Sequence, residues 1–122
     1  MTSDNGSSDS NGILRIAAAQ INTTVGDIDG NSRLIEKWTG LAEEQGADLV
    51  AFPELTITGY PPEDLVLYKN FIDANKAALN RIASDVGNIV AVVGFVDSDD
   101  EGTKLFNAAA VIHNRKIVAT YR

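Results

Sequence analysis

An apolar run at Leu14–Gln20, a helical repeat over Leu34–Ala42 and a second apolar run at Asp48–Phe52 lie within about 40 residues of one another. Strand, helix, strand at that spacing is a βαβ unit, which restricts the two strands to a parallel pair joined by a right-handed crossover. The first run is apolar on both faces apart from Arg15, as a strand inside a parallel sheet requires. The turn-rich connection INTTVGDIDGN predicts a helix N-cap at Asn31 or Asp29. Leu34, Ile35, Trp38, Leu41 and Ala42 share one helical face, which assigns Trp38 to the core, and Gly46 suits the C′ position that ends the helix.

Further along, Pro62 suits the first position of a short helix near 62–68, with Glu63 and Asp64 complementing its dipole. A longer helix over 70–86 is predicted to bury Ile72, Leu79, Ile82 and Val86, with Phe71, Ala74 and Ala78 alongside. Ile89 to Phe95 reads as an interior third strand. Leu105–Ile112 and Lys116–Tyr121 flank His113-Asn114-Arg115 as a hairpin whose turn has Asn114 at positive φ. The order is therefore βαβαβ followed by a hairpin, with no internal repeat and no interdomain linker.

Composition excludes several classes of function. A formal net charge of −7 and a pI near 4.5 argue against nucleic-acid or anionic-membrane surfaces. No apolar run approaches the roughly 20 residues that span a bilayer. The first twelve residues, MTSDNGSSDSNG, read as a disordered polar leader, with 13–122 as the folded portion. They lack the basic start and apolar centre of a secretory signal, so the default expectation is a cytoplasmic protein. The absence of cysteine excludes disulfides, thiolate metal sites and a cysteine nucleophile within these residues. The acidic loop 97–101 lacks the spacing of a calcium loop and reads as a solvated turn. His113, the single histidine, reads as a turn residue rather than a ligand or base. VGDIDG departs from G-x-G-x-x-G, and no P-loop lysine follows it, so nothing there argues for a nucleotide.

The stretch 52–65, FPELTITGYPPEDL, carries the chemistry. Pro53 removes a backbone donor and favours extended geometry at Phe52, which ends the second strand there. Glu54 then projects from the carboxyl end of a strand, where α/β sheets bind ligands, and is a candidate general base. The plainer alternative is a surface acid following a strand. Tyr60, six residues on and followed by two prolines, is placed either to line a pocket or merely to pack.

FPEL followed by TGY resembles the glutamate motif of the nitrilase superfamily, whose members hydrolyse or transfer carbon–nitrogen bonds. GYPPEDL is narrower and resembles the glutaminase domain at the amino terminus of glutamine-dependent NAD synthetases. IAAAQIN, TTVGDIDGN and FNAAAVIHNRKIVATYR extend the resemblance over nearly all of Leu14–Arg122. It implies an α/β fold, the first half of a four-layer αββα sandwich. The implied chemistry uses a Glu, a Lys and a Cys, with glutamine as substrate. Glu54 carries over as general base and acid, and Tyr60 to the glutamine pocket.

The family's Lys is expected just past Arg122, and Lys69, Lys76 and Lys104 do not fit its place. The Cys, the second half of the sandwich and an ATP- and Mg-dependent synthetase domain are likewise expected outside these residues. The resemblance thus implies a truncated, inactive piece with no cofactor of its own, drawn from a homo-oligomeric parent. One sheet face is expected to be exposed. The rival expectations are a stand-alone nitrilase-type amidase acting on another amide or carbamoyl compound, and a complete, non-catalytic flavodoxin-like binding module.

Overall fold

Five strands form one sheet in the order β1-β2-β3-β4-β5, in a computed structural model that describes residues 12–122. Apart from Gly12, the expected leader lies outside the described residues. The strands are β1 (Ile16–Ala18), β2 (Leu49–Ala51), β3 (Val90–Ser98), β4 (Leu105–His113) and β5 (Lys116–Tyr121). The pairs β1–β2 and β2–β3 are parallel, and β3–β4 and β4–β5 are antiparallel. The βαβαβ-plus-hairpin order predicted from the sequence is the observed one. β1 is shorter than its apolar run and lies at the sheet edge, with Ile16 61% exposed, so it is not the interior strand its composition suggests.

Helices α1 (Ile28–Glu44) and α2 (Lys69–Asp85) pack on the same face of the sheet. The row Ala17, Val50, Ala91, Ile112 and Ile117, set by strand register, faces them. Ile35, Ala78, Leu79 and Ile82 close the core from the helix side. On the other face, register aligns Ala18, Ala51, Val92, Val111 and Ala119, and no described element covers that row. A flavodoxin-like domain is doubly wound, with helices on both faces; helices on one face only, together with an antiparallel hairpin, exclude that alternative.

The N-cap of α1 is Asp27, not Asn31 or Asp29. Its Oδ1 accepts from the Gly30 N–H at 3.0 Å, and a Cβ at Gly30 would stand 2.2 Å from the Asp27 carboxylate. Asn31 is instead buried inside the first turn, where it bridges two loops. Its Oδ1 accepts from Thr24 N–H (2.8 Å), and its Nδ2 donates to Thr24 O (2.9 Å) and Ile57 O (3.0 Å). Trp38 is 40% exposed and Leu41 is also exposed, contrary to the core assignment. Both overhang the edge strand, lining a cavity of about 290 Å³ with Ala17, Ala19 and Ile21.

In α2, Ala74 is exposed and Asn75 is buried in its stead. Asn75 Nδ2 donates to Val96 O at 2.6 Å while its Oδ1 accepts from Val96 N–H at 3.1 Å. That amide satisfies the backbone of β3 beyond the reach of the three-residue β2. Pro62 precedes the 3₁₀ turn Glu63–Leu67 as its cap rather than occupying its first position. In the hairpin, Asn114 (φ 50°) and Arg115 (φ 64°) form the two-residue turn, and His113 belongs to β4. The Asn114 and Arg115 N–H groups donate to Gly87 O (2.8 Å) and Val86 O (2.7 Å), tying the hairpin tip to the end of α2.

In the acidic loop, Asp99 accepts from the Thr103 hydroxyl and from the Thr103 and Lys104 N–H groups, which holds its carboxyl below the usual range. Among the described residues no group of acids or histidine is arranged to hold a metal ion, and no helix is long and apolar enough to cross a membrane.

Candidate active site

β2 ends at Ala51, and the Phe52 N–H makes one further bond to Val92 O at 3.0 Å before Pro53 interrupts the ladder. Residues 53–59 then fold back along β3. Ile57 N–H donates to Gly94 O at 3.2 Å, Gly59 N–H to Leu55 O at 2.9 Å, and the Thr56 hydroxyl to Pro53 O. Leu55 adopts a left-handed φ of 49° and buries its side chain against Ile72 and Val96. Burial of Leu55 on one side and the Thr56 bond on the other leave Glu54 with an anchored backbone and a carboxylate turned outward.

Gly94 makes this approach possible. A Cβ there would stand 2.5 Å from Leu55 N, 2.8 Å from Pro53 O and 3.1 Å from Glu54 C. Its φ is not left-handed, so this glycine supplies space rather than backbone freedom. Across the sheet, Asn107 of β4 donates from Nδ2 to Glu54 Oε2 at 2.6 Å. Both residues line an open cavity of about 310 Å³, together with Phe52, Val92, Tyr121 and Arg122.

Arg122, the one cation among the residues lining that cavity, is directed away from Glu54. Its Nε donates to Asp97 Oδ2 at 2.9 Å, and its guanidinium lies 4.2 Å from the centre of the Phe106 ring. Asp97 and Phe106 are a cross-strand pair of β3 and β4.

Of the residues singled out from sequence, Glu54 stands at a strand's carboxyl end as expected. Tyr60 is 62% exposed, is joined to Pro61 by a cis bond, and does not line the Glu54 cavity. Lys69 pairs with Asp73 at 2.7 Å, and Lys76 bonds Ser98 beside Asp97. Neither these lysines nor His113 lines the cavity. Sequence reasoning missed Gly94 and Asn107. The signals were a glycine inside the apolar run VVGFV and a single amide in FNAAAVI, each an exception to its strand's composition.

A one-sided α/β sheet with an outward carboxylate at the end of its second parallel strand defines a nitrilase-type domain. The chain belongs to the carbon-nitrogen hydrolase family, whose model matches residues 15–122. It is 47% identical over 110 residues to the glutamine-dependent NAD(+) synthetase of Xanthomonas campestris, covering 89% of this chain and 20% of that protein. The solved glutamine-dependent NAD+ synthetase of Acinetobacter baumannii, in complex with ADP, superposes with a TM-score of 0.84 at 35% identity, over 89% of this chain and 20% of that one. An amidase from Nesterenkonia superposes at 0.75 with 29% identity, over 89% of this chain and 42% of the amidase. The chain spans about a fifth of the length of the curated relatives it matches.

Proposed function

We propose that these residues form the base side of a glutamine-hydrolysing site in a glutamine-dependent NAD synthetase. Glu54 takes the proton of a cysteine thiol supplied from outside these residues, and the sulfur attacks the side-chain carbonyl carbon of glutamine. A lysine entering after β5 stabilises the tetrahedral oxyanion. As the C–N bond breaks, Glu54 returns the proton to the departing ammonia, then draws a proton from the water that releases glutamate from the thioester. Tyr60 contributes to the glutamine pocket. The ammonia serves an ATP- and Mg-dependent synthetase domain that amidates nicotinate adenine dinucleotide, in a cytoplasmic homo-oligomer.

One observation carries this reading. Glu54 has its backbone anchored on both sides and its carboxylate open to a cavity at which β5 ends. A second reading, an amidase acting on another amide, rests on the likeness to the Nesterenkonia amidase, at a TM-score of 0.75 and 29% identity.

The test replaces the matched 110 residues of the Xanthomonas campestris synthetase with those of this chain. Glu54→Gln in that hybrid is expected to lower glutamine-driven NAD synthesis by about 10²-fold or more while sparing ammonia-driven synthesis. Equal retention of both activities would refute the role of Glu54. A hybrid that hydrolyses simple amides in preference to glutamine would favour the amidase reading.

A further inference from the structure

We infer that Asn107 is a positioning residue that holds Glu54 by one oxygen and so decides which oxygen handles the proton. The inference rests on the proposed role of Glu54 as base and acid. The loop bonds described above immobilise the Glu54 backbone, but three side-chain torsions remain, and an exposed glutamate samples several rotamers. Asn107 removes that freedom from the opposite strand. It is placed by the β3–β4 register, which sets it directly across from Val96, and its Nδ2 donates to Glu54 Oε2 at 2.6 Å. No hydrogen bond among the described residues engages Oε1, and Glu54 lines the cavity.

The choice of an amide has a chemical consequence. A base that later acts as an acid must be held in place in both protonation states. A lysine or arginine at this distance would favour the charged carboxylate and oppose its protonation. A neutral amide N–H donates to a carboxylate oxygen and, more weakly, to the carbonyl oxygen of the protonated acid, without the charge that would oppose protonation. With Oε2 engaged as acceptor throughout, the proton is taken up and given back at Oε1. Arg122, the one cation among the described residues lining the cavity, is engaged by Asp97 and Phe106.

The hybrid synthetase described above separates the possibilities. Asn107→Leu keeps the shape and removes the donor, while Asn107→Asp keeps the shape, removes the donor and adds a like charge beside Glu54. Both are expected to lower glutamine-driven kcat, by roughly 10-fold for Leu and roughly 100-fold for Asp, since small misplacements of a reacting group cost on that order. KM for glutamine should stay within about twofold, and ammonia-driven synthesis and the melting temperature should hold, because substrate binding and the fold do not depend on this bond. Full glutamine-driven kcat in Asn107→Asp would overturn the inference, as would a loss confined to KM or shared by ammonia-driven synthesis. Glu54→Gln run in parallel separates the two claims. If it loses glutamine-driven activity while both Asn107 variants keep theirs, only the inference about Asn107 falls. If Glu54→Gln itself stays active, the proposed base falls first.

Discussion

Gly94→Ala is the substitution that most directly tests how the Glu54 loop is seated. The new Cβ would lie 2.5 Å from Leu55 N, whereas ordinary contact begins at 3.4 Å, so the loop must retreat by the difference, 3.4 − 2.5 = 0.9 Å. All three crowded atoms are backbone, and no rotamer change can relieve them. Overpacking of this kind costs about 1–3 kcal/mol. The Ile57–Gly94 hydrogen bond, already 3.2 Å, would break on such a retreat and remove about 1 kcal/mol more. The expected destabilisation is thus about 2–4 kcal/mol. Trp38 is the single tryptophan, so urea unfolding of the dilute chain can be followed by its fluorescence. With an m-value of about 1.5–2 kcal/mol/M, the midpoint should fall by about 1–2.7 M. Gly40→Ala is the matched control: it sits inside α1 with nothing within 4 Å of its Cβ, and should raise the midpoint slightly. A Gly94→Ala midpoint within about 0.2 M of the parent, with unchanged m, would refute the steric argument.

Two further outcomes follow from other parts of the molecule. Burial of the Glu36 carboxyl, and then the neighbouring Asp85 charge, raise its pKa above the ordinary 4.5. The folded state therefore binds this proton more tightly than the unfolded chain, and stability declines as pH rises from about 4.5 through the raised value. Glu36→Gln should melt higher than the parent at pH 7 and level with it near pH 4; a gain of the same size at both pH values would contradict the assignment. The uncovered row from Ala18 to Ala119 is expected to make the isolated chain self-associate and bind hydrophobic dyes, which sedimentation and dye fluorescence would report. A monomeric chain with no dye binding would count against it.

The order of elements was legible because it depends on local information: apolar runs, helical periodicity, the Pro53 interruption and the Asn114 turn. Asn114 and its neighbour Arg115 both take the positive φ that a two-residue hairpin requires. What was not legible is set by neighbours distant in sequence. The three-residue β1 is apolar enough for an interior strand, yet only β2 pairs with it among the described residues, so Trp38 and Leu41 face an open edge rather than a core. Asn31 reads from sequence as a candidate N-cap, and Asn75 lies outside the apolar set predicted for α2. Each is buried because a short strand or a folded-back loop leaves backbone groups that only a side-chain amide satisfies. The same holds at the site: Glu54 was found from its own surroundings, whereas Asn107, 53 residues away, is brought to it only by β-sheet register.

That division bears on what these residues contribute to the proposed site. Everything around Glu54 fixes a carboxylate, and nothing here competes to be a nucleophile. The chain has no cysteine. The Thr56 and Thr58 hydroxyls nearest in sequence are committed to backbone carbonyls inside the loop. In the proposed role, a base with no nucleophile beside it in these residues depends on having its own position fixed by its neighbours. The structure supplies such fixing contacts. Gly94 admits the loop, the buried Leu55 aims the adjacent residue outward, Asn107 takes one oxygen, and Asp97 with Phe106 engages Arg122, the one cation among the described cavity-lining residues. Each device acts on the geometry or the local charge of Glu54 without engaging its other oxygen, the atom that the proposed mechanism uses for proton transfer.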